Sequence, residues 1–173
     1  MACNRPRRAV LLALVAALPL TAVAQTNVPD AVTRRTGLRV EPMSRAARTY
    51  ATNCQGCHGE LGASAVEIPV LAGRIGYFTR TEAGRQYLVQ VPNVALNPSS
   101  DADIAEVLNW LLRTYSRPQL VAGFRPYSAV EVATLRRARV DVIATRQRVV
   151  QELVASGAIS SAELLALPVT PLY

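Results

Sequence analysis

The sequence predicts an all-α protein, and three observations support this fold class. Apolar residues recur at three- and four-residue spacing between residues 104 and 112, which is typical of an amphipathic helix with one buried face. Ser128 with Glu131, and Ser160 with Glu163, match the capping box that begins a helix. Strand-like alternation of polar and apolar residues is absent from the sequence.

Residues 1–24 have the layout of a secretory signal peptide. Three arginines lie before an apolar run at 9–20, and the small-x-small pattern of a cleavage site ends at Ala24. The apolar run is shorter than the roughly 20 residues that a transmembrane helix needs. We therefore expect cleavage after Ala24, export to the periplasm and no stable membrane span. Cys3 is removed with this peptide.

The mature chain divides into three parts. Residues 25–43 show no clear periodicity and are interpreted as an irregular leader. Residues 44–117 form the predicted helical core. Its first helix begins at Ser44 and ends near Asn53, a short helix covers about 82–89, and a last helix follows a cap at Ser99 or Ser100. Residues 118–173 are interpreted as a helical C-terminal extension.

The extension contains roughly three short helices between residues 128 and 167. Residues 141–156 carry apolar positions at helical spacing, and Gly157 stands where a helix commonly ends. The two capping boxes flank this segment. The extension is therefore predicted to be helical.

The segment Cys54-Gln55-Gly56-Cys57-His58 carries the strongest chemical signal. Cys-x-x-Cys-His is the signature of covalent haem attachment, because two thiols on one turn can each add to a vinyl group of one porphyrin. The adjacent His58 then becomes the proximal ligand of the iron. A zinc site needs about four ligands, and a thioredoxin-like redox pair needs a βαβ context. A simple disulfide, the remaining alternative, does not require His58.

Residues 44–115 resemble the class I c-type cytochromes. The similarity includes the helix with Tyr50, the haem motif, the segment Ile68–Gly73 and the last helix with Trp110. The resemblance implies a cytochrome c-like helical core around one covalently bound haem c, in which the first and last helices cross beside the haem. By position, it makes Cys54 and Cys57 the thioether cysteines and His58 the proximal ligand.

The sequence departs from this family at the distal side of the iron. Class I cytochromes supply a methionine from the loop before the last helix, whereas residues 90–99 contain none. The chain has no second histidine and no lysine. Met43 is one candidate distal ligand, although it also fits a residue that packs on the domain surface. Asn93, Asn97, a tyrosine, water or an open position remain alternatives.

These observations predict a periplasmic electron carrier that transfers single electrons between a redox enzyme, such as a dehydrogenase, and a downstream acceptor. A permanent cytochrome subunit of an oxidoreductase is another interpretation, and both are favoured over a catalyst. The alternative from a different class is a five-coordinate haem that binds or senses NO, CO or peroxide. Glu67 and Glu82 are candidate distal acids for peroxide chemistry, and ordinary solvated carboxylates otherwise.

Charge and composition restrict the partners. All 19 basic residues are arginine, and only 5% of residues are aromatic, so base-stacking recognition of nucleic acid is not expected. Five arginines cluster in the extension: Arg136, Arg137, Arg139, Arg146 and Arg148. They form either a solvated helix face or a cationic docking patch for an acidic redox partner.

Overall fold

The computed structural model describes residues 43–63 and 68–164. The predicted signal peptide and the leader, apart from Met43, lie outside these residues. Every regular element that the structure describes is a helix and none is a strand. The predicted all-α fold class is therefore confirmed.

Two helices of the core pack on each other. Helix α1 (Arg45–Asn53) begins at Ser44, whose hydroxyl accepts a hydrogen bond from the backbone of Ala47 at 3.1 Å. Helix α2 (Gln55–His58) follows it after one residue. Helix α3 (Glu82–Gln90) lies between α2 and residue 91 and is described below. It is followed by α4 (Pro92–Ala95) and α5 (Asp101–Tyr115), and the cap of α5 is Ser100. Helix α1 lies against α5.

The buried face of α5 is the one that the apolar spacing predicts. It contributes six buried side chains: Ile104, Ala105, Val107, Leu108, Leu111 and Leu112. At the exposed edge of the contact, Arg45 of α1 forms ion pairs with Asp103, at 2.9 Å, and with Glu106. Apolar burial therefore holds α1 against α5, and the surface charges add little to it.

Between α2 and α4 the described chain contains more helix than the sequence predicts. A 3-10 helix (Ile75–Arg80) leads into α3 (Glu82–Gln90), which begins at Thr81. A Cβ atom on Gly84 would lie 2.2 Å from the carbonyl oxygen of Phe78. Glycine at 84 therefore permits the close approach of the 3-10 helix to α3. The sequence indicated α3 but not the 3-10 helix, which has no strong periodic signal.

Up to residue 164, where the described part ends, the extension contains a 3-10 turn (Arg117–Gln119) at its start and three helices, α6 (Ala129–Leu135), α7 (Val142–Ala155) and α8 (Ser161–Leu164). Asp141 caps α7, and Gly157 has a φ of 68° directly after its end. These positions agree with the predicted helices between 128 and 167.

The extension packs closely against the core. Helix α6 contacts α5 and α3, and its Val132 packs in an apolar cluster that includes Val89 of α3 and Leu112 of α5. Helix α7 covers α3 and the 3-10 helix. A second apolar cluster forms at this contact. It contains Tyr77, Phe78 and Tyr87 from the core and Val149, Val150, Leu153 and Ile159 from the extension. The described residues of the core and the extension form one compact unit.

Candidate functional site

The Cys-x-x-Cys-His segment begins where α1 ends. Cys54 is the C-terminal cap of α1, and its backbone N–H donates to the carbonyl of Tyr50 at 2.9 Å. The backbone N–H groups of Cys57 and His58 both donate to the carbonyl of Cys54. These bonds close one helical turn, which ends at Gly59 with a φ of 72°. The two thiols therefore belong to a single turn beside His58.

His58 is held in one tautomer. Its Nδ1 lies 3.1 Å from the backbone carbonyl of Pro69, and a carbonyl only accepts, so Nδ1 carries the proton. The other ring nitrogen, Nε2, then keeps its lone pair. Burial lowers the pKa of His58 below its ordinary value, although the bond to Pro69 opposes this shift. The imidazole is therefore neutral at neutral pH, the form that binds a metal.

The two thiols differ in exposure. Cys54 is half-buried and Cys57 is exposed, and neither is in a disulfide. Burial raises the pKa of Cys54, as does the neighbouring Cys57. In the part of the chain that the structure describes, no three His, Cys, Asp or Glu side chains converge as ligands of one metal ion. The imidazole of His58 and the two thiols lie on a single turn but do not converge on one point as a metal cage would.

Three aromatic rings lie beside the motif. The rings of Tyr50, Trp110 and Tyr115 lie 5.3–5.6 Å apart, centroid to centroid. The hydroxyl of Tyr50 donates to the carbonyl of Gly59 at 2.6 Å, and that of Tyr115 donates to Glu60 at 2.7 Å. The predicted helix crossing therefore lies directly against the segment that follows His58.

Comparison with known proteins decides the family. No family model matches the chain. It is 30% identical over 124 residues to cytochrome c-552 of Thermus thermophilus, an alignment that covers 59% of this chain and 94% of the relative. A cytochrome c-552 from one particular strain of the same organism gives the same identity, with 83% of its length covered. The chain belongs to the c-type cytochromes.

The residues of this cytochrome fit a haem c. The two free thiols lie on one turn, as attachment to a single porphyrin requires, and His58 Nε2 has an available lone pair. The hydrogen bond from Nδ1 to a backbone carbonyl is the common outer contact of a metal-binding histidine. The sequence missed the carbonyl of Pro69 as a partner, because a backbone acceptor leaves no residue-type signal.

The structure does not bring Met43 to the motif. Met43 precedes the cap Ser44 at the start of α1, whereas Cys54 directly follows the end of α1, and the nine residues of this helix span about 13 Å. The Met43 side chain is 51% exposed. The structure therefore gives no support to Met43 as the distal ligand. Of the two candidate acids, Glu67 lies outside the described residues, and Glu82 is exposed and 3.7 Å from Arg125.

The loop 91–100, which connects α3 to α5 and includes the short helix α4, is stabilised by hydrogen bonds of its own. The side-chain oxygen of Asn97 accepts from the backbone N–H of Ser99 at 3.0 Å, and its amide donates weakly to the carbonyl of Asn93 at 3.4 Å. Asn97 is thus engaged within the loop. Asn93 contributes only its backbone to these bonds.

Arg136 of the extension fixes this loop from outside. Its guanidinium donates to the carbonyls of Ala95, Asn97 and Ser99, and it forms an ion pair with Asp101 at 3.0 Å. One planar side chain therefore binds the loop at three carbonyls and α5 at one carboxylate. Arg136 thus links the extension to the segment that lacks a methionine.

The five arginines of the extension do not form one exposed patch. Arg136 is engaged with the loop, and Arg146 is 7% exposed, with its guanidinium 5.6 Å from the centre of the Phe78 ring. Arg137, Arg139 and Arg148 are exposed. The predicted cationic surface is therefore limited to these three, because the other two are used in packing.

Proposed function

We propose that this cytochrome carries single electrons through one haem c, attached by thioether bonds to Cys54 and Cys57. In the attachment reaction, each cysteine S–H adds across one vinyl C=C bond of the haem. The S–H bond and the C=C π bond break, and one S–C bond and one C–H bond form. The single observation that carries the proposal is the bond from His58 Nδ1 to Pro69, beside two free thiols. It prepares Nε2 as the proximal ligand. When bound, the haem supplies an iron that gains or loses one electron.

The residues of the chain determine how the iron is held. The two cysteines fix the porphyrin at two points, so it stays in place in both oxidation states. The backbone carbonyl of Pro69 limits rotation of the His58 ring and increases the basicity of Nε2. Burial keeps the ring neutral. The thioethers and the imidazole thus have separate tasks, attachment and ligation.

The class I assignment is part of this proposal. It is supported by the packing of α1 on α5 and by the aromatic rings at their contact. The haem domain is assigned to residues 44–117, and the extension packs on it as an additional helical layer.

Export to the periplasm is supported by the sequence of residues 1–24. None of the described helices is long and apolar enough to cross a membrane. An exported cytochrome would meet a periplasmic redox protein or dehydrogenase. We propose that Arg137, Arg139 and Arg148 contribute a cationic docking surface, which would mainly raise the association rate with an acidic partner.

The second candidate function is a haem with an open sixth position that binds a small molecule. The observation that favours it is the composition of the loop 91–100, which has no methionine or histidine and whose Asn97 is already hydrogen-bonded. A positioned acid or base is not provided by Glu82, which is exposed beside Arg125. Ligand binding is therefore favoured over peroxidase chemistry.

Both candidates are tested on the mature, haem-loaded protein. We expect a Soret band, a denatured mass that exceeds the polypeptide by one haem, and loss of covalent haem in Cys54→Ala/Cys57→Ala. A polypeptide mass alone without Soret absorption refutes the proposal. The reduced spectrum under CO then separates the two functions. A rapid, complete change indicates an open site, and an unchanged spectrum indicates a six-coordinate electron carrier.

A further inference from the structure

The segment after His58 is held by tyrosine hydroxyls from two different helices. Tyr50 of α1 donates to the carbonyl of Gly59, and Tyr115 of α5 donates to the next carbonyl, that of Glu60. A carbonyl only accepts, so each tyrosine hydroxyl is the donor, and burial raises the pKa of Tyr50 to about 12. Both bonds lie within two residues of His58.

Tyr115 also fixes the segment that contains Pro69. The backbone carbonyl of Tyr115 accepts a hydrogen bond from the backbone N–H of Gly73 at 2.7 Å. The ring of Tyr115 lies against Gly62, so that a Cβ atom added to Gly62 would be 3.1 Å from the ring. The carbonyl of Gly62 in turn accepts from Leu71 and Ala72, at 2.9 and 3.1 Å. The donor and the acceptor of the His58–Pro69 bond are therefore tied to the same tyrosine.

We propose that Tyr50 and Tyr115 are positioning residues for His58, and that they set the strength of its hydrogen bond to Pro69. This inference rests on the proposed function, in which His58 binds the haem iron. The close packing of the two rings with Trp110 limits their movement, so the hydroxyls stay aimed at the two carbonyls. The helix crossing thus acts on the orientation of the imidazole.

The test removes the hydroxyls and keeps the rings, with Tyr50→Phe, Tyr115→Phe and the double variant. The first readout is the solvent exchange rate of the His58 Nδ1 proton, followed by NMR in the reduced, haem-loaded protein. We expect each single variant to accelerate exchange about fivefold, the factor that corresponds to about 1 kcal/mol for one hydrogen bond. The second readout is the reduction potential, which we expect to rise because a weaker Nδ1 bond makes Nε2 a poorer donor.

Tyr127→Phe is the matched control. Its buried hydroxyl also donates to a backbone carbonyl, at 2.8 Å, but this carbonyl belongs to Arg85 of α3 and not to the His58 segment. We expect this variant to lose stability without a change in either readout. Unfolding midpoints are measured for all variants, so that general loosening is separated from an effect on His58.

Each outcome either supports or refutes the inference. Faster Nδ1 exchange and a raised potential in the Tyr50 and Tyr115 variants, with an unchanged Tyr127→Phe, support the inference. Unmoved readouts in the double variant refute it, and so do equal shifts in Tyr127→Phe. A wild-type protein without a Soret band refutes the proposed function and this inference together. A Soret band with unmoved readouts refutes the inference alone.

Discussion

Glu131→Gln tests whether the extension is held to the core by a buried ion pair. Arg85 of α3 binds Glu131 of α6 through two bonds, of 2.6 and 2.8 Å, and the two side chains are only 5% and 14% exposed. Arg85 also donates to the carbonyl of Arg125 at 2.6 Å and lies over the ring of Tyr127. The substitution keeps the shape of the side chain and removes its charge.

The expected loss follows from this burial. Removing one partner of a buried ion pair costs about 3–5 kcal/mol. Glutamine still accepts one hydrogen bond, and Arg85 retains the Arg125 carbonyl, so we expect the free energy of unfolding to fall by about 2–3 kcal/mol. This corresponds to a decrease of roughly 6–9 °C in the melting temperature.

The loss should depend on pH in a defined direction. Burial disfavours the charge of Glu131, but the hydrogen bonds and charge of Arg85, together with Arg125, hold the pKa of its carboxyl below the ordinary value. A lowered folded-state pKa means that the stabilisation is fully present above the unfolded-state pKa. It disappears as the pH falls through the folded-state pKa. The difference between wild type and variant should therefore be largest near neutral pH and shrink in acid.

Urea unfolding at several pH values measures this difference. Glu82→Gln is the control, because the Glu82 side chain is 64% exposed and its ion pair with Arg125 is long, at 3.7 Å. We expect this variant to change the free energy of unfolding by less than about 0.5 kcal/mol. A Glu131→Gln variant within that range at neutral pH would show that the pair does not hold the extension. A loss that stays constant as the solution is acidified through the folded-state pKa would refute the role of the carboxylate charge.

Three further predictions concern a close contact, the loop and Met43. Gly84→Ala should destabilise the fold by about 2–4 kcal/mol in thermal unfolding, because its Cβ would meet the Phe78 carbonyl at 2.2 Å; a loss below about 1 kcal/mol would contradict the contact. Arg136→Gln should expose the loop 91–100, so we expect faster amide exchange there and not in α1, and uniform exchange would contradict a local role. Met43→Ala should leave the visible and near-infrared spectra unchanged, and loss of a sulfur-to-iron band would instead identify Met43 as a ligand.

Local patterns in the sequence predicted the helices well. Ser44 and Ser100 cap α1 and α5, and the spacing of Ile104 to Leu112 marks the buried face. Such signals are short in range, so one sequence is sufficient to see them. The Ser128–Glu131 capping box is formed, because the Ser128 hydroxyl caps the helix and the Ser128 backbone N–H donates to the Glu131 carboxylate. The same carboxylate also bonds to Arg85, a distant partner that the local pattern did not indicate.

The site was predictable only in part, for the same reason. The motif identified Cys54, Cys57 and His58 because their chemistry depends on adjacent residue types. The carbonyl of Pro69 bonds to His58 and the hydroxyl of Tyr115 bonds to Glu60, each from 11 or more positions away, and no periodicity marks them. Likewise, the sequence placed Arg136 and Arg146 on a surface, although folding uses both in contacts with the core. Long-range hydrogen bonds are the information that a pattern does not contain.

The use of arginine explains how the extension and the core form one unit. Arg80 of the core donates to the carbonyls of Gln119 and Ala158 and pairs with Glu163, and Arg136 of the extension donates to three loop carbonyls. Each guanidinium offers five donors in one plane, whereas a lysine ammonium offers three from one point. One arginine can therefore satisfy several carbonyls at a helix end or in a loop. In a chain without lysine, the excess positive charge consequently serves packing at Arg80, Arg85 and Arg136, and the cationic surface available to a partner is smaller than the composition suggests.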